Sequence, residues 1–108
     1  MSLDVAPSTA VDLAERVRVL GDPLRARIVS LLASSTMCTC HLVEDTGAAQ
    51  TTVSHHLRVL RDAGWVDTEP CGRFTYYRLR PDPLRALAED LVAVADAAVG
   101  AAGRKRPC

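Results

Sequence analysis

Gly47 stands between two stretches that each have the makings of a helix, and it leaves room for only a brief turn. Before it, Cys40–Asp45 carries Leu42 and Val43 as an inward face. After it, "AAQTTVSHHLRVLRDAG" keeps a helical period up to Gly64. Glycine ends helices because it adopts the left-handed conformation without a steric penalty. A short helix, a glycine turn and a second helix with a polar face make a helix-turn-helix pattern, which constrains this chain more than any other feature.

The flanking segments extend the pattern. Leu13, Val17 and Leu20 repeat at helical spacing between Ala10 and Leu20. "GDP" then breaks the chain, with Asp22 as a cap and Pro23 opening a helix whose buried stripe is Leu24, Ile28, Leu31 and Leu32. "WVDTEP" and "RFTYYRLR", joined through Pro70, Cys71 and Gly72, predict a hairpin in which Tyr76 and Tyr77 face opposite ways. "PDP" starts a last helix in which Leu84, Leu87, Leu91, Val94 and Ala98 follow the spacing of helices that pack on helices. The expected fold is mainly α with a small β-hairpin, a winged helix-turn-helix. Its boundaries are a flexible arm at 1–9, the domain at 10–102 and a basic tail at 103–108. A chain of 108 residues buries a core only marginally alone, so a dimer would help it.

Net charge is zero, but the cations are grouped: Arg58 with Arg61, then Arg73, Arg78 and Arg80, then the tail "GRKRPC". Basic stripes contact phosphates even on a neutral protein. On the second helix of the pair, Val53, Leu57 and Leu60 share one face and form a buried seam. Thr51, Ser54, His55, Arg58 and Asp62 lie roughly opposite. A polar, basic face with donors near its N-terminus suits a DNA major groove, although an ordinary solvated helix can look the same. The candidate DNA contacts are Gln50, Thr51, Thr52, Ser54, His55 and Arg58, with Arg73 at the hairpin tip. His56 falls near the apolar seam and is expected to be half-buried with a local hydrogen bond. The first residues lack the pattern of a signal peptide, and no run approaches the ~20 apolar residues of a membrane span. A cytoplasmic protein is expected, with no membrane partner.

Cytoplasmic disulfides are rarely structural, so the cysteines read as metal-binding, redox or buried thiols. Cys38 and Cys40 would lie about 200° apart on a regular helix and could not grip one ion there. Cys38 therefore belongs to an extended lead-in and Cys40 to the cap, with a bend at Thr39 bringing the sulfurs together. The helix N-terminus favours a thiolate at Cys40. Arsenite and antimonite are thiophilic and three-coordinate, so two close thiols and one more suit them. Cys108, on the tail, is the candidate third metal ligand. Cys71 at the hairpin tip is too far away, and the ring of His41 is expected to point elsewhere. A redox disulfide would close a very short ring. Nothing supplies the base and acid partners a thiol enzyme needs.

Taken in order, "VLGDPLRARIVSLLA", "CTCHLVEDTG", "QTTVSHHLRVLRDAGWV" and "GRFTYYRL" resemble the ArsR/SmtB family of metal-sensing winged-helix repressors over roughly residues 12–98. The resemblance implies a homodimer joined by the first and last helices, bound to near-palindromic double-stranded operator DNA and released by a metal or metalloid. Cys38 and Cys40 match the first two thiols of that family's "Cys-x-Cys-x-x-Cys" site. Val43 stands where its last cysteine falls, and His41 where it has an acidic residue. The inducer implied is As(III) or Sb(III). Cadmium- or lead-type sensing borrows cysteines from the N-terminal arm, and this arm has none. The family's zinc site on the last helix needs histidines, which residues 81–103 lack.

Overall fold

The computed structural model describes residues 6–108, with side chains from Asp12 onward. Five helices and three strands follow in the order α1 (Ala6–Leu20), α2 (Pro23–Leu32), β1 (Met37–Cys38), α3 (Thr39–Thr46), α4 (Gln50–Asp62), β2 (Val66–Cys71), β3 (Phe74–Leu79) and α5 (Pro81–Ala101). This is the winged helix-turn-helix. The expected arm lies partly outside the described residues, and α1 starts at Ala6 rather than Ala10.

Local chemistry sets the breaks. The Asp22 carboxylate accepts from the Arg25 N–H at 3.0 Å and caps α2, while Pro23 occupies the first turn, where no amide is needed. Gly47 takes φ 73° and ends α3, its N–H donating to the Val43 carbonyl at 2.9 Å. Thr46 reinforces the turn: its hydroxyl donates to the Leu42 carbonyl and accepts from the Ala48 N–H. In the hairpin, Cys71 pairs with Phe74, so Gly72 and Arg73 are the whole loop. Gly72 has φ 63° and Arg73 does not, which is a type II′ turn with glycine first.

The sheet order is β1-β3-β2, all antiparallel. The two-residue β1 adds a strand to the expected hairpin, Met37 pairing with Tyr77 and Cys38 with Tyr76. Period-2 alternation cannot be seen in two residues, so this strand exists only through its partner.

One core joins the helices to the base of the wing: Val19, Ile28, Val29, Leu32, Leu42, Val53, Leu57, Leu60, Trp65, Val66 and Leu87. The seam of Val53, Leu57 and Leu60 is buried as expected. On α1 the buried residue is Val19, while Val17 is exposed, because α1 turns another face to the core. Trp65 ties α4 to the wing, its N–H donating to Leu60 and its carbonyl accepting from Arg80, each at 2.8 Å. Arg16 and Asp90 join α1 to α5 at 2.8 Å.

Beyond Asp90 every residue of the chain is exposed. The molecule is 61 Å long with a radius of gyration of 17.7 Å, against about 13 Å for a compact domain of this size. Leu91, Val92, Val94 and Val99 therefore form an uncovered apolar face on α5. Among the described residues no helix is long and apolar enough to cross a membrane.

Leu57 is 1 % exposed at the centre of this core. Leu57→Ala should cost about 2–5 kcal/mol in urea denaturation, and a smaller loss would mean the site collapses around the change.

Candidate functional site

Helix α4 owes its orientation to its sequence. The buried seam with His56 faces the core, so Gln50, Thr51, Thr52, Ser54, His55 and Arg58 are all exposed on the outside. Gln50, Thr51, Ser54, His55 and Arg58 line one concavity of about 320 Å³. Ala49 has no side chain that can cap α4, so no N-cap side chain takes up the first amides of the helix, the groups that bind phosphate at a helix N-terminus. Arg73 is exposed at the tip of the wing. Among the described residues neither Arg58 nor Arg73 makes an ion pair, whereas Arg78 and Arg80 both lean on Asp67. The arginines of the wing therefore differ: two brace the hairpin and one is free at its end.

His56 is buried rather than half-buried. Its Nε2 lies 3.6 Å from the Asp22 carboxylate, an ion-pair separation rather than the expected hydrogen bond, and its Nδ1 has no partner. Arg25 is buried beside it with an unpartnered Nε. This polar group sits between the start of α2 and the middle of α4. Burial, helped by Arg25 and His55 and opposed by Asp22, holds His56 below its ordinary value. Asp22 is also lowered, chiefly by the Arg25 backbone N–H.

At the other end of the helix-turn-helix, the sulfurs of Cys38 and Cys40 are in bonding contact, with Cα atoms 5.4 Å apart. The bend expected at Thr39 is present, but the N-cap of α3 is Cys38 and not Cys40. Cys38 is buried and extended; Cys40 is exposed in the first turn. His41 departs from expectation. Its ring folds back, Nδ1 accepting from the Cys38 N–H at 3.2 Å and lying 3.4 Å from the Cys38 sulfur. The ligating atoms of Cys38, Cys40 and His41 all lie within 4.8 Å of one another. The overlooked signal is the spacing of a capping box, in which the residue three after the cap reaches back to the cap's own amide. Cys71 and Cys108 are both exposed and outside this cluster in the protomer.

A winged helix-turn-helix with an outward polar helix and a thiol cluster beside it is a DNA-binding regulator, not an enzyme. Residues 22–68 match the family described as bacterial regulatory protein, arsR family. An HTH-type transcriptional regulator of Methanocaldococcus jannaschii is 35 % identical over 68 % of this chain and 84 % of its own. An arsenical resistance operon repressor of Staphylococcus xylosus is 34 % identical over 74 % and 77 %. A cadmium resistance regulatory protein homologue of Staphylococcus aureus is 29 % identical over 80 % and 72 %. Among solved structures, a possible transcriptional regulator for arsenical resistance aligns with TM-score 0.68 and 34 % identity, over 83 % of this chain and 98 % of its own. A homodimeric winged helix-turn-helix domain from Mycobacterium bovis aligns with TM-score 0.67 and 28 % identity, over 89 % of each chain. The chain belongs to the ArsR/SmtB family of transcriptional repressors.

A histidine depressed on folding binds its proton more readily in the unfolded chain. The stability it confers is present above its ordinary value of 6.5 and is lost as pH falls through the folded value. Asp22 stays ionised in that window, since its pKa is lowered from 3.8. The parent should therefore lose stability to urea between about pH 7.5 and about pH 5.5. His56→Gln, which cannot charge, should lose measurably less; an equal loss would contradict this account.

Proposed function

We propose that this chain is a homodimeric repressor of the cytoplasm that holds near-palindromic operator DNA. It releases the DNA when Cys38 and Cys40 capture a thiophilic inducer, foremost As(III) or Sb(III). The observation that carries the reading is the side-by-side placement of the two sulfurs where β1 passes into α3. Donors of this kind fit a soft ion, since thiolates are the ligands such ions select.

The chain's own residues supply each part. Gln50, Thr51, Thr52, Ser54, His55 and Arg58 present base- and phosphate-contacting groups from α4, and Arg73 adds a contact from the wing. The uncovered Val17, Leu91, Val92, Val94 and Val99 supply an apolar seam on α1 and α5 for a second copy, as in an isologous dimer. Cys108, on the exposed tail that follows α5, supplies a third thiol across that dimer. The names of relatives support a metal or metalloid inducer, arsenical in one case and cadmium in another. A cadmium- or lead-responsive repressor of the same fold is the alternative, supported by the cadmium resistance relative.

Release follows from where Cys38 sits. It caps α3 and pairs with Tyr76 of the wing, and α3 packs against α4. Once the two cysteines are reduced, thiolates gripping one ion are held about 3.8 Å apart. Fixing them at that separation shifts the start of α3 and the neighbouring wing strand together. A coupling of about 1–3 kcal/mol between ion and DNA is the ordinary scale of such a link.

The bonding contact of the sulfurs also favours a redox reading. There hydrogen peroxide takes two electrons and two protons from the thiols, leaving a Cys38–Cys40 disulfide and two waters. The two readings separate in one assay. Under reductant, arsenite should release a fluorescent operator fragment from the parent and not from Cys38→Ser/Cys40→Ser. Release by peroxide alone would favour the redox reading, and retained arsenite response in the variant would remove the site.

On the DNA side, Arg58→Ala should cost about 1–3 kcal/mol of operator affinity. Arg73→Ala should reduce the slope of log affinity against log salt by about 1. An unchanged affinity and slope would exclude these contacts.

A further inference from the structure

We infer that His41 is a third ligand of the thiol site, through Nδ1. It makes the site one for a thiophilic divalent d10 cation, cadmium or zinc, without a thiol from elsewhere. The inference rests on the paired-thiol reading above and names the residue that decides which ions the pair can hold.

The geometry points to the ring. Nδ1 lies 3.4 Å from the Cys38 sulfur, in a cluster whose three ligating atoms lie within 4.8 Å. An ion about 2.3 Å from a thiolate and about 2.0 Å from an imidazole nitrogen, at a tetrahedral angle, holds those two atoms about 3.6 Å apart. The ring is thus near ligating separation before any ion arrives. Its orientation is set from two sides. The Cys38 N–H donates to Nδ1, which makes Nδ1 the unprotonated nitrogen and engages its one lone pair beside the sulfurs, so an ion must take it from that amide. Tyr76 meets the ring edge-on at 5.9 Å, and Tyr76 is itself the sheet partner of Cys38. Cys40 and His41 are both exposed, so an ion reaches them from solvent.

The donor set then sorts ions by charge type. As(III) and Sb(III) favour sulfur donors over an imidazole, so on the paired-thiol reading a third donor for them is Cys108 rather than His41. Divalent d10 cations take mixed thiolate and imidazole sets readily. Two residues, His41 and Cys108, therefore divide the inducers between them while sharing Cys38 and Cys40. Coordination through Nδ1 also takes the acceptor away from the Cys38 N–H. The cap of α3 opens as the site fills, which is the displacement release requires.

His41→Gln is the discriminating variant. Glutamine at this position of a capping box still accepts from the cap amide, so α3 keeps its start while the imidazole is lost. Cadmium is titrated into reduced full-length protein against a competing chelator, following the sulfur-to-cadmium charge-transfer absorbance. Operator release is measured on the same samples by anisotropy, and arsenite is run in parallel. His41→Gln should weaken cadmium binding about tenfold or more, at least as much as losing an outer partner of a metal ligand. It should leave arsenite binding within about twofold of the parent. Cys108→Ser should do the reverse. Equal cadmium affinity in His41→Gln and the parent would overturn the assignment of His41 and leave the paired-thiol reading standing. Cadmium and arsenite binding that both survive Cys38→Ser/Cys40→Ser would overturn the paired-thiol reading itself.

Discussion

Cys38 belongs to two structures at once. Its backbone is the end of β1, paired with Tyr76 on the wing, and its side chain begins α3, where its own amide is held by His41. The residue is 3 % exposed, so it cannot shift without disturbing its neighbours. Packed interiors pass displacement on rather than absorb it. The wing carries Arg73 and α3 supports α4, so the two surfaces that would meet DNA share this one anchor.

Arg25 and His56 are buried between α2 and α4 beside the half-buried Asp22, and two of their nitrogens lack partners. Such groups are costly to bury and tolerate few alternative arrangements. The apolar seam and Trp65 join α4 to the wing.

The outer half of α5 leaves Leu91, Val92, Val94 and Val99 exposed in the protomer, and the tail that follows places a fourth cysteine on solvent. A small domain that cannot bury enough apolar surface alone gains stability from a second copy.

Much of this was legible in the residues. The helix breaks at Asp22–Pro23 and Gly47, the inward seam of α4 and the hairpin around Gly72 all follow from local rules, because caps, periodicity and turn geometry act within a few residues. The pairing of Cys38 and Cys40 across a bend at Thr39 was legible in the same way. What the tertiary structure decided was long-range or depended on a neighbour. Strand β1 exists only because β3 lies beside it, and Val19 is buried instead of Val17 because of how α1 lies on the core. His56 turns from a local hydrogen-bonding residue into part of a buried polar group because α2 delivers Asp22 and Arg25 to it. The ring of His41 joins the thiols because a cap three residues away needs an acceptor and Tyr76 closes the other side. Sequence by itself determined the helices, the hairpin and the kinds of donor available. Only packing decided which donors share a site, since that depends on distances between residues far apart along the chain.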